Sequence, residues 1–133
     1  MSIPISLNSA GIRLFLIAGA LYHFAFAIYH MMFWKTFNWD TQLKKSGELN
    51  SRVTQILNLC LIYVFILVGL ISLLFFNDLF TNSLGRFILV AVSLFWFIRA
   101  IEQVIFFKLI HKLSKILFIA FIIGGLLYLI PIL

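Results

Sequence analysis

The chain has 133 residues, of which 64% are apolar and only 11% charged, and its formal net charge is +6. Soluble domains carry about 25% charged residues, so the composition excludes an ordinary soluble domain and predicts an integral membrane protein. The positive charge is explained by membrane topology and anionic lipid head groups. No pattern typical of a nucleic-acid-binding module occurs, and a nucleic-acid partner is not expected.

Four apolar runs are long enough to cross a bilayer, since a transmembrane helix needs about 20 residues. They cover about residues 11–33, 53–76, 84–107 and 112–132. The predicted fold class is therefore all-α, a four-transmembrane-helix bundle that forms a single integral membrane domain over residues 1–133.

The first run also invites a second interpretation, a cleaved secretory signal, because Ala18-Gly19-Ala20 offers small residues. Two features oppose it. Residues 1–10 contain no Lys or Arg, and the apolar run exceeds the roughly 7–15 residues of a signal core. The run is expected to remain as the first span.

The basic residues are distributed unevenly, and this predicts the orientation in the membrane. Arg13 and Arg86 lie near one face. The first and third connections hold or adjoin a larger set: Lys35, Lys44, Lys45, Arg52, Lys108, Lys112 and Lys115. Because basic residues concentrate in cytoplasmic loops, these two connections are predicted to be cytoplasmic and both termini to lie outside the cytoplasm.

The third span contains strongly polar residues, Arg99, Glu102 and Gln103, within an otherwise apolar run. A charge near the centre of a membrane helix costs roughly 2.5–3.5 kcal/mol on insertion scales, so such a group usually has a partner or lines a wet cavity. Residues three apart can meet along a helix surface, which predicts that Arg99 and Glu102 neutralise each other. Trp96 belongs to the same helical stripe as Arg99.

Polar residues of the first two spans lie at a similar depth. His23 and His30 share one helix face, as do Gln55 and Asn58. At ~1.5 Å per residue, His30, Gln55 and Asn58 lie roughly 10–14 Å from the centres of their spans, toward the predicted cytoplasmic side. The expected arrangement is a polar pocket that opens to the cytoplasm, with the fourth span as an apolar wall. Its candidate ligand-binding residues are His23, His30, Gln55, Asn58, Trp96, Arg99, Glu102 and Gln103.

Specific chemistries find little support in the sequence. His23 and His30 are about 10 Å apart along the helix axis, too far to bind one metal ion, so no metal site is predicted. Haem would require Glu102, a second subunit or a distorted helix, and the cofactor stays unknown. No Gly-x-Ser-x-Gly motif of a hydrolase occurs. A proton-transfer enzyme that uses Glu102 or a histidine remains open, so whether the protein is an enzyme is undecided.

A set of residues in the second and third spans carries a family resemblance: Asn50, Gln55, Asn58, Gly85, Arg86, Phe95, Trp96, Arg99 and Gln103. Over roughly residues 49–103 the chain resembles a group of small bacterial four-helix membrane proteins, similar in size to the DoxX-like proteins. The resemblance implies a four-helix architecture and brings no assigned activity or site residues. Together with the predicted orientation, the resemblance implies a multi-pass protein of a bacterial inner membrane.

Two functions are consistent with these observations. In the first, the polar pocket binds or handles a lipid-soluble small molecule such as a quinone or lipid. The polar side chains would contact the head of this molecule, and Phe or Trp rings would contact its tail. In the second, the protein is a non-catalytic accessory or assembly subunit whose polar stripe satisfies a partner helix. The expected partners are membrane lipids, a quinone or lipid ligand, and a homo-oligomer or partner membrane subunit.

Overall fold

The computed structural model describes residues 9–133, and within that range the chain is helical without strands. The long helices are α1 (Ser9–Met31), α4 (Glu48–Leu74), α6 (Ser83–Phe107) and α7 (Lys112–Leu129). The short ones are α2 (Phe33–Thr36), α3 (Trp39–Gln42) and α5 (Phe76–Thr81), with 3₁₀ turns at Leu43–Ser46 and Ile130–Ile132.

Within residues 9–133, four helices are long and apolar enough to cross a membrane, namely α1, α4, α6 and α7 with its 3₁₀ extension. This confirms the all-α class with four membrane-spanning helices, and the chain is a membrane protein. Large apolar side chains such as Leu57, Tyr63 and Phe87 are exposed on these helices. Lipid tails solvate such side chains, so the exposure fits helices that face a bilayer.

Helix α4 begins earlier than the sequence predicts, at Glu48 rather than near residue 53. The extra turn is mostly polar and exposed. Glu48 forms an i, i+4 ion pair with Arg52 on its exposed surface. A carboxylate in the first turn also interacts favourably with the helix dipole. Hydropathy alone therefore set the predicted start too late, because a polar helical turn carries no apolar signal.

The chain forms two compact units, one of residues 9–19 and 72–133 and the other of residues 20–71. The first is built on α6 and α7, joined by a short connection that makes them antiparallel. Ser93 Oγ donates a hydrogen bond to the Gly125 carbonyl at 2.9 Å. Gly125 also admits the Phe97 ring, since a Cβ there would lie 2.7 Å from it. Small residues thus let these two helices approach closely.

The remaining parts of the first unit pack around Tyr128 and the start of α6. The Tyr128 hydroxyl lies 2.8 Å from Ser72 Oγ, and its ring lies where a Cβ of Gly19 would be. Asn82 caps α6 by accepting a hydrogen bond from the Gly85 amide at 2.7 Å. A Cβ on Gly85 would lie 2.1 Å from the carbonyl oxygen of Asp78, so only glycine permits this turn.

The second unit is formed by the later part of α1, the connecting turns and most of α4. Gly69 of α4 leaves room for the Phe24 ring of α1, which a Cβ would approach to 2.6 Å. Asn38 and Gly47 have positive φ values of 48° and 86°. These two residues flank the segment formed by α3 and the following 3₁₀ turn. A residue with positive φ at each end allows the chain to change direction there.

Candidate functional site

Six of the eight candidate residues predicted from sequence, all but His23 and Trp96, fall into two clusters, one within each unit. The His30 cluster, in residues 20–71, consists of His30, Trp34, Ser51, Gln55 and Asn58. The Arg99 cluster, on α6 and α7, consists of Arg99, Glu102, Gln103, Ser114 and Phe121. Their hydrogen bonding decides which polar groups are available to a ligand.

Two hydrogen bonds join His30 of α1 to Asn58 of α4. Asn58 Nδ2 donates to the main-chain carbonyl of His30 at 3.0 Å. Since a carbonyl can only accept, the other end of this amide, Oδ1, faces the imidazole, and His30 Nδ1 donates to it at 2.8 Å. The pair thereby fixes the ring orientation and places a proton on Nδ1.

Aromatic rings surround the His30 imidazole. The Phe33 ring lies 4.3 Å from it between centroids, and the Phe65 ring 5.2 Å. Phe65 also contacts the His23 ring at 5.9 Å, and His23 is almost completely buried. The two histidines share one helix face, as predicted, and the same phenylalanine packs against both of them.

The polar groups nearer the first connection are engaged with one another. Trp34 Nε1 donates to Gln55 Oε1 at 3.2 Å. Gln55 Nε2 in turn donates to Ser51 Oγ at 3.2 Å and lies 3.4 Å from the Ser51 carbonyl. The Trp34 ring packs on Trp39 with centroids 5.0 Å apart. Both ends of the Gln55 amide are therefore hydrogen-bonded to protein groups, and its bond to Trp34 joins α2 to α4.

The Arg99 side chain is held from two directions. Its Nη1 lies 2.5 Å from Glu102 Oε2, one turn along α6. Its Cζ lies 4.8 Å from the centroid of the Phe121 ring on α7, a cation–π contact. The ion pair is the one expected from the i, i+3 spacing. Phe121 stacks in addition on Trp96, with centroids 5.7 Å apart.

Much of the hydrogen-bonding capacity of this ion pair is unused. A guanidinium carries five N–H donors, and Arg99 makes one hydrogen bond to the described part of the chain, through Nη1. The side chains of Arg99 and Glu102 are 32% and 41% exposed. In contrast, within residues 9–133 no buried side-chain nitrogen or oxygen lacks a hydrogen-bond partner. The ion pair thus brings polar groups with unused hydrogen-bonding capacity to the protein surface within a spanning helix.

Gln103 and Trp96, also predicted as ligand-binding residues, are nearly fully buried between α6 and α7. Gln103 Nε2 donates to Ser114 Oγ at 2.9 Å. Ser114 and Phe121 were not among the candidates predicted from sequence. A usable signal existed, because Gln103 and Ser114 are equally far from the middle of the short α6–α7 connection, and so are Trp96 and Phe121.

No family model, curated protein or solved structure matches the chain. Among residues 9–133 no group of three His, Cys, Asp or Glu side chains is placed to hold a metal ion.

The His30–Asn58 pair yields a prediction about stability. Asn58→Leu removes both hydrogen bonds between α4 and His30, so we expect a loss of about 1–3 kcal/mol in the free energy of unfolding. Reversible unfolding in detergent micelles measures it. Leu57→Ala, at a neighbouring residue that is 63% exposed, is the matched control and should change stability less. An equal effect of both substitutions would contradict this account of the pair.

Proposed function

We propose that the protein binds the polar head of a lipid-soluble small molecule, such as a quinone or a lipid, at the Arg99–Glu102 pair. The observation that carries the proposal is the unused hydrogen-bonding capacity of a half-exposed guanidinium on a spanning helix. Arg99 lies roughly 6 Å from the middle of α6 at ~1.5 Å per residue. Hydrocarbon offers no acceptor at that depth, and each polar group left unsatisfied there costs several kcal/mol.

The chemistry of the pair suits a head group that carries oxygen atoms. Planar guanidinium groups bind oxygen acceptors through paired N–H donors, which a lysine cannot do. Glu102 neutralises the arginine and so lowers the cost of keeping a cation within the bilayer. The contacts with Glu102 and Phe121 also hold the guanidinium in place before a ligand arrives, which reduces the entropy lost on binding.

A non-catalytic accessory or assembly role is the second candidate. It is favoured by the exposed apolar side chains of Ile98 and Ile101, which lie beside the Arg99–Glu102 pair on α6. A helix from a partner membrane subunit, or from a second copy of this chain, would cover these side chains and supply acceptors to Arg99. Retention of a stoichiometric companion protein during purification would support this role over ligand binding.

We propose further that the protein lies in a bacterial inner membrane with both termini outside the cytoplasm, so that the Arg99–Glu102 pair is in the cytoplasmic half. The bacterial assignment depends on the resemblance of residues 49–103 to small bacterial membrane proteins. The orientation is supported by the exposed lysines at Lys35, Lys44 and Lys45 and by those near the α6–α7 connection.

The orientation can be tested by cysteine labelling. Lys44→Cys, in a Cys60→Ala background, should resist a membrane-impermeant maleimide added to intact cells and react once the membrane is permeabilised. The exposed Arg86→Cys is the matched control on the opposite side and should react in intact cells. Labelling of the Lys44→Cys variant from outside would reverse the proposed orientation.

The ligand proposal is tested by native mass spectrometry of gently purified protein. The wild-type protein should retain a lipid or quinone, and Arg99→Leu or Glu102→Gln should reduce its occupancy at least tenfold without unfolding the protein, because each removes one of the head-group contacts. The exposed Glu48–Arg52 pair provides matched controls. Glu48→Gln and Arg52→Leu should leave occupancy unchanged. Unchanged occupancy in both Arg99→Leu and Glu102→Gln would refute the proposal.

A further inference from the structure

We infer that the head group bound at the Arg99–Glu102 pair carries no net charge and presents a hydroxyl donor next to an oxygen acceptor. The inference rests on the proposed function and specifies its ligand class. Two kinds of membrane component share this chemistry, diacylglycerols and quinols. Anionic lipid head groups, such as phosphates and carboxylates, are excluded by it.

The charge of the pair is the first argument. One guanidinium and one carboxylate in contact sum to zero, and among residues 9–133 Glu102 forms an ion pair with Arg99 alone. A phosphate that approached Arg99 would also come close to the Glu102 carboxylate. Like charges repel strongly where the surroundings are apolar. An uncharged head group can use the same N–H donors without that repulsion.

Among residues 9–133, no second basic side chain forms an ion pair with Glu102. Lys108, the basic residue directly after α6, lies roughly 9 Å beyond Glu102 along the helix axis at ~1.5 Å per residue. It is exposed, as are Lys112 and Lys115 of α7. These lysines sit at the ends of their helices, where they are suited to phosphates in the head-group layer rather than to a group beside Arg99.

The arrangement of donors and acceptors is the second argument. Arg99 has N–H groups left for an oxygen acceptor, and Glu102 has an oxygen, Oε1, that accepts no hydrogen bond from residues 9–133. A carboxylate can only accept, so its natural ligand partner is a hydroxyl. Since the two side chains are in contact, the acceptor and the hydroxyl must be adjacent in the ligand. The hydroxyl and ester carbonyl of a diacylglycerol are adjacent in this way, and a quinol hydroxyl is itself both donor and acceptor.

Depth is the third argument. Arg99 lies roughly 6 Å from the middle of its helix at ~1.5 Å per residue, whereas the hydrocarbon core extends about 15 Å from its centre. An anionic head group would have to leave the hydrated interface to reach the guanidinium. Desolvating a charge is far more costly than desolvating a hydroxyl or a carbonyl. Uncharged head groups therefore reach this depth more readily.

Competition between lipids with identical acyl chains tests the inference. The wild-type protein in nanodiscs is titrated with dioleoylglycerol or dioleoylphosphatidic acid, which differ only in the phosphate, and separately with a long-chain quinol, and bound lipid is counted by native mass spectrometry. We expect dioleoylglycerol or the quinol to bind at least tenfold more tightly than the phosphatidic acid. Whichever uncharged ligand binds identifies the source.

The variant Glu102→Gln sharpens the test because it removes the negative charge and keeps the shape of the side chain. The preference should then shift at least tenfold toward phosphatidic acid, while the control Glu48→Gln should behave as the wild type. Equal or tighter binding of phosphatidic acid to the wild-type protein would overturn the inference and leave the proposed function intact. Failure of all three ligands to bind would overturn the proposed function itself.

Discussion

Hydrocarbon cannot hydrogen-bond, and this constraint organises the polar side chains of the chain. On α1 and α4, Asn58 satisfies both a side-chain and a main-chain group of His30. On α6 and α7, Gln103 is paired with Ser114. Each of these bonds joins two helices that would otherwise share only apolar contacts. Interhelical hydrogen bonds of this kind contribute about 0.6 kcal/mol on average, so their main effect is to fix which helix faces meet.

The Arg99–Glu102 pair obeys this constraint only in part. The ion pair and the Phe121 ring stabilise the guanidinium, yet most of its donors and one oxygen of the Glu102 carboxylate make no hydrogen bond to residues 9–133. The buried hydrogen bonds described above are accounted for by helix packing, because each of them joins two helices. Helix packing does not account for the ion pair, because two apolar side chains at these positions would pack equally well. A ligand or partner that supplied the missing hydrogen bonds would account for a charged pair at this position.

The sequence predicted the parts of the structure that depend on local spacing. Hydropathy located the four long helices, and the i, i+3 rule anticipated the contact of Arg99 with Glu102. The sequence did not predict contacts that depend on how a helix is rotated about its axis relative to its neighbour. Its distance from the α6–α7 connection places Phe121 level with Trp96, but only the structure shows that its face of α7 meets α6. The hydrogen bond of Trp34 to Gln55 likewise depends on the packing of α2 on α4.

The claim that Arg99 receives an acceptor from outside the protein is open to direct observation. Solid-state NMR of arginine-labelled protein in membranes reports which nuclei lie near each guanidinium, and Arg99→Leu identifies the signal. The account predicts through-space contacts from the Arg99 guanidinium nitrogens to carbons of a lipid-soluble molecule and weak transfer from water. Strong transfer from water, with no contact to any carbon outside the protein, would contradict it.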